Sequence, residues 1–88
     1  VKIMINNEMG EFLKESRLER GFKQNELARR LGLDPQVISN VENGRALLPK
    51  KKFSEVAKLL RIDFYELLDI HLEDTRRKIC RLNKRRYI

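Results

Sequence analysis

The sequence predicts an all-α domain, and three observations carry that prediction. Apolar residues recur at three- and four-residue spacing almost throughout, and no stretch after residue 5 keeps the alternation of a half-buried strand. Gly21, Gly32 and Gly44 each follow a helical stretch, where a left-handed residue ends a helix at little cost. Pro35 and Pro49 stand where new helices should begin, with φ preset and no amide hydrogen to satisfy.

This punctuation divides the chain into five helices. The first runs from about Glu8 to Arg20 with Met9, Phe12 and Leu13 inward, and the second covers Gln24 to Leu31. Asp34 caps the third by accepting the amide of Gln36 or Val37, and that helix ends near Asn43. The fourth begins around Pro49 and sets Phe53, Val56, Ala57 and Leu60 on one face. The fifth is short, Asp63 to Leu68, capped by Asp63 and contributing Phe64, Leu67 and Leu68.

Composition shifts after Leu72, where residues 73–88 hold 7 Lys/Arg against 2 Asp/Glu. Thr75, Ile79 and Leu82 share one helical stripe, so this segment reads either as a sixth, marginal helix or as a solvated, frayed tail. At the other end, residues 1–5 alternate weakly: they are a short strand or a stretch ahead of a start at Met4. The expected organisation is an arm over 1–7, one helical domain over 8–72 and a basic extension over 73–88.

A chain of 88 residues has material for one core. Its 41% apolar fraction suffices for a fold, and a net charge of +7 with 38% charged residues attracts polyanions, nucleic acid first among them. Cys80 is the single cysteine and His71 the single histidine, so one chain can assemble neither a disulfide, a zinc cage nor a Cys/His catalytic pair. No cofactor or metal is expected, an enzyme is not expected, and both residues read as inert. A lone cysteine fits a reducing compartment, and no apolar run approaches the roughly 20 residues of a membrane span. A cytoplasmic protein without membrane association is the expectation.

Residues 24–43, QNELARRLGLDPQVISNVEN, meet the requirements of a helix-turn-helix. Two short helices that cross steeply need a small residue at the crossing, and Ala28 supplies it. Leu27 and Leu31 face the core from the first of the pair, Ile38 and Val41 from the second, and Leu33 plugs the corner. Gly32 provides the positive φ for so short a turn.

With those residues in view, the sequence resembles the phage-repressor/Cro-type (Xre-like) transcriptional regulators. The resemblance covers Phe12 to Leu68 and includes QNELARRLGL, the ENG of Glu42-Asn43-Gly44 and AKLLRIDFYELL. It implies a five-helix, lambda-repressor-like domain that binds a double-stranded, palindromic operator as a homodimer. It also implies that Arg17 pairs, half-buried, with Glu42 to tie the first and third helices together. Two positions depart from the family. Lys23 stands where a capping Ser or Thr is usual, and Arg61 stands where Gly is frequent. Arg61 must then accept a left-handed conformation or let the fourth helix end differently.

In this reading the third helix enters the major groove, where each base pair presents a distinct donor and acceptor pattern. Its outward positions are Pro35, Gln36, Val37, Ser39 and Asn40. Gln36 and Asn40, one turn apart, carry amides suited to adenine; Val37 suits a thymine methyl, and Pro35 offers apolar contact only. Phosphate contacts are expected from Lys23, Gln24 and the amides opening the second helix, and from Asn43, Arg45, Lys50 and Lys51. Phe64, Tyr65, Leu68, Ile70 and Leu72 exceed what one small core can cover and form the expected dimer surface. The competing reading is a protein-binding module, an antitoxin or accessory factor, that holds a partner through residues 69–88.

Overall fold

A computed structural model of the protein describes residues 8–82. The residues of the N-terminal arm, where a strand was one expectation, and residues 83–88 lie outside the described part. Five α-helices follow in order: α1 Glu8–Glu19, α2 Gln24–Leu31, α3 Pro35–Glu42, α4 Phe53–Leu60 and α5 Phe64–Leu82. No strand occurs among the described residues.

Local chemistry sets each boundary. Glu8 and Glu11 occupy the first turn of α1, where carboxylates favour the helix dipole. Gly32 ends α2 at φ +70, and the turned chain lets the Leu33 amide donate to the Ala28 carbonyl at 2.8 Å. Asp34 then opens α3 as expected, its Oδ1 accepting the Gln36 amide at 2.8 Å with Pro35 in the first turn. α4 starts later than Pro49: Lys50–Lys52 form a 3-10 turn, and regular α-helix begins only at Phe53. Arg61 takes the first of its two options and closes α4 in the left-handed region at φ 56, with the Ile62 amide donating to the Ala57 carbonyl at 3.0 Å.

The core forms where α1, α2, α3, α4 and the start of α5 converge. Leu13, Leu27, Leu31, Ile38, Leu48, Val56 and Leu67 are all but completely buried. Leu48 comes from the loop between α3 and α4 and pins that loop to the core. Phe12, Leu33 and Leu68 pack against the same cluster while remaining partly exposed.

The last helix differs most from expectation. α5 does not stop at Leu68; it runs unbroken for 19 residues, so the boundary placed after Leu72 falls inside a helix. The physical reason is a second buried face. Leu67, His71 and Asp74 are buried at four- and three-residue spacing, and no Gly or Pro interrupts residues 64–82. The far half is fastened to α1: Asp74 Oδ2 accepts the Met9 amide at 3.2 Å, and Arg77 reaches Glu8 at 2.9 Å.

Candidate nucleic-acid interface

α3 sits on the surface of this bundle, and its inner side is fixed by both packing and charge. Ile38 and Val41 are buried against the core, and Ala28 is fully buried in α2, the helix that α3 crosses. At its C-terminal end Glu42 meets Arg17 in a bidentate pair, Nε to Oε2 at 2.7 Å and Nη2 to Oε1 at 3.1 Å. Both side chains are buried, with 7% and 2% of their surface exposed, which classes the pair with interior rather than surface ion pairs. Arg17 Nη1 donates to the Phe22 carbonyl at 2.8 Å, and Gln24 Nε2 donates to Glu42 Oε1 at 2.8 Å. The Arg17–Glu42 pair thus joins α1, the turn after it, α2 and α3. The pairing implied by the family resemblance is present, with two further partners that the sequence did not indicate.

The outer side of α3 carries the proposed reading residues. Gln36 is exposed, while Val37, Ser39 and Asn40 are half-buried. Gln36 Nε2 donates to Asn40 Oδ1 at 3.1 Å, so the two amides form one connected unit along the helix. Gln36 keeps its carbonyl and its second N–H, the acceptor and donor that an adenine edge requires. Asn43 Nδ2 donates to Ser39 Oγ at 3.4 Å one turn further on. Pro35 is exposed at the helix start and offers no hydrogen bond from its side chain.

The candidate phosphate contacts fall into two groups. Lys23 is exposed at the N-cap of α2 and cannot accept a capping bond. Glu26 compensates in part, accepting the Lys23 amide at 2.8 Å. Gln24, beside it, is half-buried and has committed one amide hydrogen to Glu42. In the second group Asn43, Arg45, Lys50 and Lys51 are all exposed. The Arg45 amide donates to the Asn40 carbonyl at 2.8 Å, which ties the loop to the end of α3.

The expected dimer residues do not share one face. Phe64, Leu68 and Leu72 follow one another at four-residue spacing along α5, with Tyr65 alongside. Phe64, Tyr65 and Leu72 are exposed. Ile70 lies on another side and packs against the core cluster. Ile79 and Leu82 extend the exposed stripe, a continuation that follows only once α5 is one helix.

Asp74 is the structural residue most clearly missed from sequence, and it acts by fastening α5 to α1. Its signal was the spacing Leu67, His71, Asp74, which is legible only if the helix is not broken after Leu72. No group of His, Cys, Asp and Glu among the described residues is arranged to hold a metal ion, and no described helix is long and apolar enough to cross a membrane.

This arrangement defines a class. A helix-turn-helix family model matches residues 13–67, more than half of the chain, and the chain belongs to that family, in its Xre/Cro-like branch. More particularly, the chain is 38% identical over 55 residues to the ImmF control region 10 kDa protein of Bacillus phage phi105. The similarity covers 62% of this chain and 61% of that protein.

Proposed function

We propose that the protein is a sequence-specific regulator of transcription, a repressor or autoregulator, that reads double-stranded DNA with α3 in the major groove. The observation that carries this reading is the contrast between the two sides of α3. Its inner side is locked by the buried Arg17–Glu42 pair, and its outer side presents the linked amides of Gln36 and Asn40. A rigid element with exposed paired amides is what base readout requires. Lys23, Arg45, Lys50 and Lys51 supply the cationic surroundings for phosphate contacts. Membership of the helix-turn-helix family and similarity to a phage control-region protein support the regulatory role.

The same reading includes a homodimer on a palindromic operator, joined through Phe64, Tyr65, Leu68 and Leu72, whose apolar side chains form the α5 stripe. Selection of bound sequences from a random duplex pool tests specificity, and a salt titration on the winner tests phosphate contact. With about four phosphates neutralised per subunit, a dimer gives a slope of log K against log salt of about −7. A flat salt response, or preference for single strands, overturns the proposal.

A second reading has one observation behind it. Leu72, Ile79 and Leu82 stay exposed, 52% or more of each, along the half of α5 beyond the core. A protein partner seated there would make DNA binding secondary, and sedimentation with Leu68→Glu and Ile79→Glu variants separates it from self-association.

A further inference from the structure

A groove of about 540 Å3 lies between the 3-10 turn with the start of α4 and the first three turns of α5. Its walls are apolar, from Leu47, Phe53, Phe64, Leu68 and Leu72, and the exposed Lys50 and Lys51 form its cationic side. Ser54, His71 and Thr75, the last two one helical turn apart, complete the lining. The helix-turn-helix reading makes no use of His71 or Thr75.

Both carry a buried polar atom without a hydrogen bond. His71 is 6% exposed, packs edge-on against Phe53 with ring centroids 4.9 Å apart, and has an unpartnered Nδ1. Thr75 Oγ1 is likewise buried and unpartnered. Such groups oppose folding, and native proteins retain few of them without a use. Valine and phenylalanine would have filled the same space at no such cost. The groove therefore combines an apolar channel, two unsatisfied polar atoms one turn apart and two ammonium groups. That is the pattern of a small-molecule site: a largely apolar cleft of several hundred Å3 with a few convergent polar groups.

We propose that this groove binds an apolar monocarboxylate, with the hydrocarbon body against Phe53, Phe64, Leu68 and Leu72 and the carboxylate held by Lys50, Thr75 and His71. The Thr75 hydroxyl donates to one carboxylate oxygen and Lys50 supplies the countercharge. The imidazole donates to the carboxylate from Nδ1–H, which the neutral ring carries in that tautomer, and the neighbouring negative charge further favours the imidazolium. In the empty groove burial is the largest influence keeping the imidazole neutral, reinforced by Lys50 and Lys78 and opposed by Asp74. A bound anion beside Lys50 cancels the second influence and favours the imidazolium, so affinity rises as pH falls.

Binding does not depend on the DNA-binding reading, but its consequence does. The carboxylate engages Lys50, a proposed phosphate contact, and the hydrocarbon covers Phe64, Leu68 and Leu72, proposed for the dimer. An occupied groove then weakens operator binding, and the ligand acts as an inducer.

Decanoate is the probe and decanol its uncharged control, each titrated into the full chain by NMR. Decanoate is expected to shift the amide signals of Leu47, Leu68 and Thr75, to raise the His71 pKa, and to bind about tenfold or more tighter than decanol. Thr75→Val is the diagnostic variant: it should raise the thermal midpoint of the empty protein, because it removes an orphaned hydroxyl, while weakening decanoate. Lys50→Gln should weaken decanoate without abolishing decanol. No shifts at millimolar decanoate, or equal binding of the two probes, overturns the proposal and leaves an apolar face for a second copy or a protein partner. A chain that binds decanoate but no duplex of any sequence upholds this site and defeats the DNA-binding reading instead.

Discussion

Asp74 accepts the backbone amide hydrogen of Met9 at 3.2 Å across 65 residues of sequence, so the far half of α5 caps the start of α1. The carboxylate is 2% exposed at the side chain and also lies 3.4 Å from the Arg77 guanidinium. A carboxylate at a helix N-terminus satisfies an orphan amide and favours the dipole together. Asp74→Ala is expected to cost about 1–3 kcal/mol in denaturant unfolding, because it strands the buried Met9 amide. Asp74→Asn, which keeps an acceptor, should cost less. Equal losses for the two would show that the charge, not the cap, holds the helices together.

The Arg17–Glu42 pair makes a stronger demand. Arg17→Ala removes the bidentate cationic partner of a buried carboxylate, and a loss of roughly 3–5 kcal/mol is expected. The double change Arg17→Met with Glu42→Leu removes both charges and should recover most of that loss. Unfolding of the single and double variants, compared as a cycle, gives the coupling directly. A single-variant loss of a few tenths of a kcal/mol would reduce the pair to an ordinary surface contact.

Arg61 is exposed, and its left-handed backbone is adopted against the preference of any residue with a Cβ. Arg61→Gly should therefore raise stability by up to about 1 kcal/mol, and Arg61→Ala, which keeps the Cβ, should not. Thermal melts of the three proteins decide this. An unstable Arg61→Gly variant would mean that the arginine side chain contributes more than its backbone costs.

Acid stability follows from His71. Burial, with Lys50 and Lys78 behind it, holds the folded imidazole below its ordinary value, against the opposing pull of Asp74. Below the unfolded value the unfolded chain binds more protons than the folded one, so stability falls as pH drops. The loss begins just above pH 6.5 and levels off once pH is below the folded value. Unfolding measured from about pH 7.5 to 5, above most carboxylates, isolates this effect. A His71→Phe variant should lose that part of the pH dependence; an unchanged slope would assign it to other groups.

Reading and gripping DNA should separate by residue. Gln36→Ala is expected to cost about 1–3 kcal/mol on the selected operator and little on scrambled duplex. Lys51→Ala should weaken both duplexes alike and make the salt slope shallower by about one per subunit. Competition titrations measure both. If Gln36→Ala lowers affinity equally for the two duplexes, α3 is not the reading helix or reads DNA shape.

Local patterns determined much of this protein. The five helices, the Gly32 turn, the Asp34 cap, the inward Leu27, Leu31, Ile38 and Val41, and the helix-turn-helix itself follow from short-range periodicity and backbone chemistry, which act within a few residues. The Arg17–Glu42 pair was reached only through family resemblance, since nothing local joins residues 25 apart. Tertiary structure alone decided the rest. α5 continues past Leu72 because Phe53 of α4 packs against His71 and the start of α1 offers Asp74 an amide, and a basic, marginally amphipathic segment does not reveal those neighbours by itself. For the same reason Ile70 turns to the core, Gln24 is drawn to Glu42, and His71 is buried beside Phe53 in a groove. Each outcome depends on which side chains meet across the bundle, and those partners lie tens of residues apart in the chain.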